Sequence, residues 1–182
     1  VAIGGFSTHD ANLGHFENPV IESVAIVFMV MSGINFGLHF VAWNRRSLAY
    51  YWRDPELRLY LSILAGVAAV VCAVLLRFPH SSESPFRDGI FHAVSMATTT
   101  GFTTTDFSVW PSAAPVLLLL AAFAGGCAAS TAGWIKVIRV LLIYKQGFRE
   151  IRRLIHPNGV FAIKLGRQRV PDTVINAIWG FF

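Results

Sequence analysis

Three long apolar segments constrain the fold of this chain more than any other feature of its sequence. Segment 20–43 carries one carboxylate, Glu22, close to its start, and segments 59–76 and 115–135 carry no Asp, Glu, Lys or Arg. A helix needs about 20 mostly apolar residues to cross the hydrocarbon core of a bilayer, which is ~30 Å thick. Charged residues make up 14% of the chain, against about 25% in soluble domains. The sequence therefore predicts an all-α membrane protein with three spans.

The basic residues are concentrated in two segments that follow the first and the last span. Residues 44–60 carry four arginines, whereas residues 78–95 carry Arg87 alone. The second basic segment holds Lys145, Arg149, Arg152, Arg153, Lys164, Arg167 and Arg169. Short cytoplasmic loops collect Lys and Arg, so both basic segments are predicted to face the cytoplasm and residues 78–110 the outside. Beside a membrane span this interpretation is preferred to nucleic-acid binding.

A short motif occurs twice at an offset of 96 residues. Residues 2–10 read AIGGFSTHD and residues 98–106 read TTTGFTTTD. The matched positions are Gly5 with Gly101, Phe6 with Phe102, Thr8 with Thr104 and Asp10 with Asp106. Each copy is followed by a predicted span, and the second is preceded by a span and by a short amphipathic helix. Two crossings separate the copies, so the units are parallel. Such units arranged around an axis along the membrane normal build a central pore.

The repeated loop has the composition of an ion filter. Irregular backbone survives at membrane depth only where it is buried in protein or lines a water-filled cavity. Selectivity filters use backbone carbonyls that replace the ion's hydration shell, and glycine accepts positive φ at little cost. The predicted filter residues are Ile3, Gly4, Gly5, Phe6, Thr99, Thr100, Gly101 and Phe102. Phe6 and Phe102 are expected to pack behind the loops, and Asp10 and Asp106 to concentrate cations at the outer mouth. A polar surface loop is the alternative.

A second unusual stretch, GGCAASTAGWIK, interrupts the last apolar segment. Glycine weakens a helix by ~1 kcal/mol relative to alanine, so one interpretation is a break in the membrane that lines the pore below the filter. The other is a small-residue face for helix packing. Lys136 follows the stretch. It either extends to the cytoplasmic interface from a straight helix, which is the preferred interpretation, or lies near the cavity as an electrostatic barrier to cations.

The sequence divides into three parts. Residues 1–58 hold a filter loop, a span and a cytoplasmic loop. Residues 59–145 hold a complete unit with a span at 59–77, a pore helix at 86–98, a filter loop at 98–106 and a broken span at 115–143. Residues 146–182 hold a cytoplasmic segment and an apolar end, INAIWGFF, too short to cross a membrane. We expect the chain to be part of a longer polypeptide.

Several of these stretches resemble one transporter family. AIGGFSTHD, YWRDPE, SMATTTGFTT, GGCAASTAGWIKVIR and HPNGVFAIKLG are similar to the bacterial Trk-type potassium-uptake membrane subunits (TrkH), in the Trk/Ktr/HKT superfamily. The resemblance covers the whole chain in sequence order. It implies four tandem, K⁺-channel-like units around one filter, of which this chain holds the second filter loop through the start of the fourth unit.

The same resemblance implies the transported ion, a gate and partners. K⁺ is the expected ion, and the chain needs no organic cofactor. The implied gating loop consists of Gly125, Gly126, Cys127, Ala128, Ala129, Ser130, Thr131, Ala132, Gly133 and Lys136. A homodimer in the bacterial inner membrane, with a cytoplasmic nucleotide-binding regulatory subunit on the basic face, is also implied. Ala129, Ala132 and Trp134 stand where glycine is more common in the family.

Two alternatives differ in function. A Na⁺-permeable or Na⁺-coupled relative would share every feature above, because two filter loops do not fix selectivity. An intramembrane enzyme could use Cys127, Ser130, His92 or Asp106, but no nucleophile–base pair recurs at helical spacing. Transport is therefore the preferred function, and no catalytic residue is predicted.

Overall fold

The computed structural model describes residues 3–78, 84–111, 113–133, 136–156, 159, 161–165 and 168–180. Its helices are α1 Pro19–Ser32, α2 Phe36–Asn44, α3 Ala49–Arg53, α4 Pro55–Arg77, α5 Pro85–Ala97, α6 Ala113–Ala124, α7 Val137–Ile155 and α8 Asp172–Trp179. Two 3₁₀ turns, Asn12–Phe16 and Phe107–Val109, follow the two glycine loops. A short antiparallel pair, β1 Lys164–Leu165 and β2 Gln168–Arg169, was not predicted. The fold is otherwise helical, as the composition indicates.

Helix α4 is the one straight helix, among the described residues, that is long and apolar enough to cross a membrane. The Asp54 side chain caps it, with Oδ1 accepting a hydrogen bond from the amide of Leu57 at 2.7 Å. Pro55 occupies the first helical position, where its missing N–H costs nothing. The helix therefore begins four residues before the predicted span at 59–77.

The predicted continuous span over residues 20–43 is wrong. Helices α1 and α2 meet at a break with a bend of 93°. The Asn35 side chain caps α2 by accepting from the amide of Gly37 at 2.8 Å. The carbonyl of Gly33, which a continuous helix would pair internally, accepts instead from the amide of Cys127 at 2.9 Å. An apolar count cannot detect this break, because it depends on a partner distant in the sequence.

The last apolar segment is also broken, which decides between the two interpretations of its small residues. Helix α6 ends at Ala124 and α7 begins at Val137. The described residues between them form an irregular loop. Helix α7 then continues to Ile155, well beyond the predicted end of the broken span at residue 143.

Helix α5 packs against α1, α4 and α6. Gly89 allows the close approach to α4, because a Cβ at this position would lie 2.7 Å from Sγ of Cys72. At the other face, Nε and Nη2 of Arg87 each donate to the buried Glu22 carboxylate of α1 at 2.6 Å. A bidentate pair of this kind fixes orientation as well as distance. The C-terminal end of α5 is thereby directed at the glycine loop that follows it.

Candidate functional site

The two glycine loops, 96 residues apart in sequence, meet in the structure. The amide of Gly5 donates to the carbonyl of Thr100 at 2.7 Å. A Cβ at Gly5 would lie 2.1 Å from the carbonyl oxygen of Gly101, and a Cβ at Gly101 would lie 3.0 Å from the nitrogen of Gly5. The backbones approach so closely that Gly5 has no room for a side chain, and a Cβ at Gly101 would require the facing backbone to shift by a few tenths of an ångström.

Both loops use left-handed backbone. The φ angle is +108° at Gly4, +65° at Gly5 and +81° at Gly101. Thr99 is also left-handed, with φ of +57°, which for a β-branched residue is a rare and costly conformation. In the second loop positive φ thus occurs at two positions that flank Thr100. In an extended chain successive carbonyls point in alternating directions. Left-handed residues change this, so the neighbouring carbonyls of the loop no longer alternate.

The C-terminal end of α5 holds the second loop. The Ser95 hydroxyl donates to the carbonyl of Phe102 at 2.7 Å, and the amide of Thr100 donates to the carbonyl of Ser95 at 2.9 Å. The hydroxyls of Thr98 and Thr100 lie 2.9 Å apart, and both side chains are buried. These two hydroxyls therefore stabilise the loop internally.

Not every predicted filter carbonyl is equally available. The carbonyl of Gly5 accepts from Nδ2 of Asn12 at 2.7 Å, and those of Thr100 and Phe102 accept from Gly5 and Ser95. Among the described residues, no donor contacts the carbonyls of Thr99 or Gly101. The same holds for the carbonyls of Ile3, Gly4 and Phe6, and the carbonyl oxygen of Gly101 lies close to the backbone of Gly5.

His92 fixes the outgoing limb of the second loop. Its side chain is fully buried, with Nδ1 at 2.9 Å from the carbonyl of Asp88 and Nε2 at 3.2 Å from that of Thr105. The rings of Phe107 and Trp110 pack against it edge-on. His92 therefore links α5 to the chain beyond the loop and takes no part in a nucleophile–base pair.

The two predicted supporting phenylalanines differ. Phe102 packs against a buried cluster of Met29, Phe91 and Val94, where it supports the second loop. Phe6 is 86% exposed among the described residues, and its packing behind the first loop stays a prediction. Ile3 is also half-exposed.

Asp10 and Asp106 line one cleft beside the outgoing limbs of the two loops. Oδ1 of Asp106 accepts from the amide of Ser108 at 2.9 Å. Hydrogen bonds from the Ser108 side chain and amide hold the pKa of Asp106 below its ordinary value. A lowered pKa keeps this carboxylate ionised at neutral pH, with its charge at the mouth of the cleft.

The irregular loop at 125–133, with Lys136, is seated on the break between α1 and α2. The amide of Cys127 donates to Gly33, and the amide of Phe36 donates to the carbonyl of Ala129 at 3.2 Å. The amide of Thr131 donates to the carbonyl of Ser32 at 3.3 Å. The loop thus satisfies the backbone groups that the bend exposes, as irregular structure at membrane depth requires.

This loop, which we call the intramembrane loop, contacts the second glycine loop directly. The amide of Gly133 donates to Oγ1 of Thr99 at 2.8 Å, and Thr99 is the left-handed residue whose carbonyl is free. A movement of the intramembrane loop would remove this support from Thr99.

The preferred interpretation of Lys136 as an interfacial side chain is wrong. Its Nζ donates to the carbonyls of Ser130 at 3.0 Å and Ala132 at 2.7 Å. That interpretation assumed a straight helix from residue 115, and the break between α6 and α7 shows that no such helix forms. The ammonium folds back onto the intramembrane loop and neutralises the exposed carbonyl dipoles. Trp134, whose bulk differs from the family pattern, lies outside the described residues.

Glu56 was not predicted to belong to the site. Its carboxylate, in the first turn of α4, is 5% exposed and accepts a short hydrogen bond from the amide of Ala128. The residues that complete its environment lie about 70 positions later, so no local pattern identifies it.

The comparison with protein families decides the identity. A family described as "TrkH: Cation transport protein" matches residues 1–182. The chain belongs to the TrkH family. This membership places the chain in the bacterial inner membrane, and the family is described as transport proteins and not as enzymes.

Curated relatives agree across the whole chain. It is 49% identical to the Trk system potassium uptake protein TrkH of Salmonella typhimurium and 50% identical to that of Halomonas elongata, and both matches cover 100% of the chain. The crystal structure of the potassium transporter TrkH from Vibrio parahaemolyticus matches 98% of the chain with a TM-score of 0.90 and 47% identity. The chain spans 38% of the length of the curated TrkH relatives and 39% of the solved chain.

Proposed function

We propose that this TrkH chain supplies two of the strands of a K⁺ selectivity filter in an uptake system of the inner membrane. The observation that carries the proposal is the meeting of Gly5 and Gly101, both left-handed and with backbones so close that a Cβ on either glycine would crowd the other loop. The named relatives are potassium uptake proteins. In this proposal the span–pore helix–loop–span units are parallel and surround one axis. That arrangement explains why two loops 96 residues apart in sequence lie in contact.

The free carbonyls of Thr99 and Gly101 would replace water around the ion. Helix α5 ends at this loop, and its macrodipole places about half a negative charge there, which favours a cation. Asp10 and Asp106 would raise the cation concentration outside. Gly5, Thr100 and Phe102 would contribute less, because their carbonyls already accept hydrogen bonds.

The intramembrane loop is the proposed gate. It contacts the filter loop through Gly133 and Thr99, and it is held by hydrogen bonds rather than by a continuous helix. In the full-length protein we further propose a homodimer, with a nucleotide-binding regulatory subunit on the basic cytoplasmic face. The exposed arginines of α7 give that face its charge.

Flux of ⁸⁶Rb⁺ into liposomes that hold the full-length transporter tests the proposed ion. We expect K⁺ to suppress Rb⁺ entry, while equal concentrations of Na⁺ and Li⁺ leave it nearly unchanged. Suppression by Na⁺ as strong as that by K⁺ would favour the Na⁺-permeable alternative. Entry equal to that in empty liposomes would contradict transport itself.

A further inference from the structure

Glu56 occupies an unusual place for an acidic side chain. It is buried in the first turn of α4, and its carboxylate contacts a different part of the chain. Ala128, near the start of the intramembrane loop, donates its amide to Oε1. The amide of Ile138, just past the end of that loop, also interacts with the carboxylate. One side chain therefore binds the backbone at both ends of the loop.

Burial and the neighbouring Asp54 carboxylate oppose ionisation of Glu56, and several positive groups around its carboxylate act against that cost. Two helices, α4 and α7, begin beside Glu56, and each N-terminus carries about half a positive charge. Helix α7 has no side-chain cap of its own, because Lys136 at its N-cap position makes no such hydrogen bond. Glu56 supplies from α4 the cap that the start of α7 lacks. The ammonium of Lys136 also interacts favourably with this carboxylate.

Few other side chains hold the loop. Lys136 contacts carbonyls within the loop itself, and Ser130 donates to the carbonyl of Cys127 at 2.6 Å. The contacts to Gly33 and Ser32 are neutral hydrogen bonds from backbone or hydroxyl groups. Hydrogen bonds to a charged group are about twice as strong as neutral ones. Among the described contacts, the hydrogen bond from Ala128 to the Glu56 carboxylate is the one that joins the loop to another helix through a carboxylate.

We propose that Glu56 is a positioning residue for the gate: its ionised carboxylate holds the intramembrane loop in the conformation seen here, and loss of the charge releases the loop. The proposal rests on the proposed gating function and adds the residue that controls it. Glu56 touches no filter carbonyl, so its replacement alters how often the pore opens and leaves selectivity unchanged.

Cys127 provides a direct readout of loop release. It adjoins Ala128, it is 1% exposed, and its thiol is free. In the full-length transporter with its other cysteines replaced, a small methanethiosulfonate reagent should label Cys127 slowly. In Glu56→Gln we expect labelling to be faster by about tenfold, since a charged hydrogen bond becomes a neutral one of similar geometry. The open probability should rise with it, while the Rb⁺/Na⁺ ratio stays constant.

Asp54→Asn is the matched control. Asp54 lies two residues away at the same helix end, and its side chain caps α4 without a hydrogen bond to the loop. Asparagine also caps helices well, so this variant removes one charge and keeps the cap. Labelling of Cys127 in Asp54→Asn should match that of the parent. An equal increase in both variants would overturn the proposal, because it would reflect the local charge alone.

Glu56→Asp keeps the charge on a shorter side chain. It is the second variant to test if Glu56→Gln does not fold. We expect faster labelling here too, because the shorter side chain no longer reaches the amide of Ala128. Unchanged labelling and opening in a folded variant would overturn the proposed role of Glu56. If disruption of the loop at Gly126 still changed opening in that case, the gating function itself would stand. If neither change affected opening, both proposals would fail.

Discussion

We expect a Gly101→Ala variant of the full-length transporter to reach the membrane in normal amounts and to take up no ⁸⁶Rb⁺ above background. A Cβ at this position would lie 3.0 Å from the nitrogen and 3.2 Å from Cα of Gly5, both of which are backbone atoms. The φ of +81° adds strain for any residue with a Cβ. The facing backbone would have to shift by a few tenths of an ångström, which would displace the carbonyls of Thr99 and Gly101 from their positions.

Gly66→Ala provides the control for this prediction. Gly66 lies in α4, and a Cβ there would meet nothing within 4 Å. The same chemical change should therefore leave uptake intact, and alanine should stabilise the helix by up to about 1 kcal/mol. Normal uptake by Gly101→Ala, at equal protein levels, would contradict the filter assignment.

The second large effect is expected at Gly126, in the intramembrane loop. A Cβ there would lie 2.7 Å from Cβ of Ala132 and 2.9 Å from the carbonyl oxygen of Gly33. Gly126→Val should displace the loop at a cost of about 1–3 kcal/mol, which corresponds to a change of about 5- to 150-fold in an equilibrium constant. Single-channel or flux recordings should show a higher open probability with an unchanged Rb⁺/Na⁺ ratio.

Gly133→Ala tests whether the effect is specific within the same loop. A Cβ at Gly133 would lie 3.6 Å from Oγ1 of Thr99, an ordinary contact, and the amide that donates to Thr99 is retained. Gating should remain close to that of the parent. A changed ion selectivity in Gly126→Val with normal opening would contradict the proposed gate.

The sequence identified the parts of the fold that depend on local chemistry. Residues 59–76 contain no charge, so the membrane-spanning part of α4 follows from the composition, whereas its start at Pro55 was placed four residues too late. Gly5 and Gly101 were identifiable because a Gly-Phe pair followed by hydroxyl residues occurs twice, each time just before a predicted membrane span. In both cases the signal lies within a few residues of the feature that it predicts.

The bend at Gly33 and the role of Lys136 could not be predicted this way. A hydropathy pattern treats residues 20–43 as one apolar segment, yet the helix breaks because Cys127 and Thr131 supply donors to its freed carbonyls. Lys136 was placed at the interface on the assumption of a straight helix. Each outcome depends on a contact between distant segments, which single-sequence reasoning does not reveal.

Glu56 shows the same limit of reasoning from a single sequence. Glu56 has the sequence features of an ordinary acidic residue at a helix start, and its contact with Ala128 appears only in three dimensions.

Anomalous diffraction from crystals of the full-length transporter grown in Rb⁺ tests the central claim most directly. We expect a peak on the axis between the two glycine loops, within coordination distance of the carbonyl oxygens of Thr99 and Gly101. The peak should be absent from crystals of Gly101→Ala. Crystals of the parent protein with no Rb⁺ at this place, or with those oxygens turned away from a bound ion, would contradict the account.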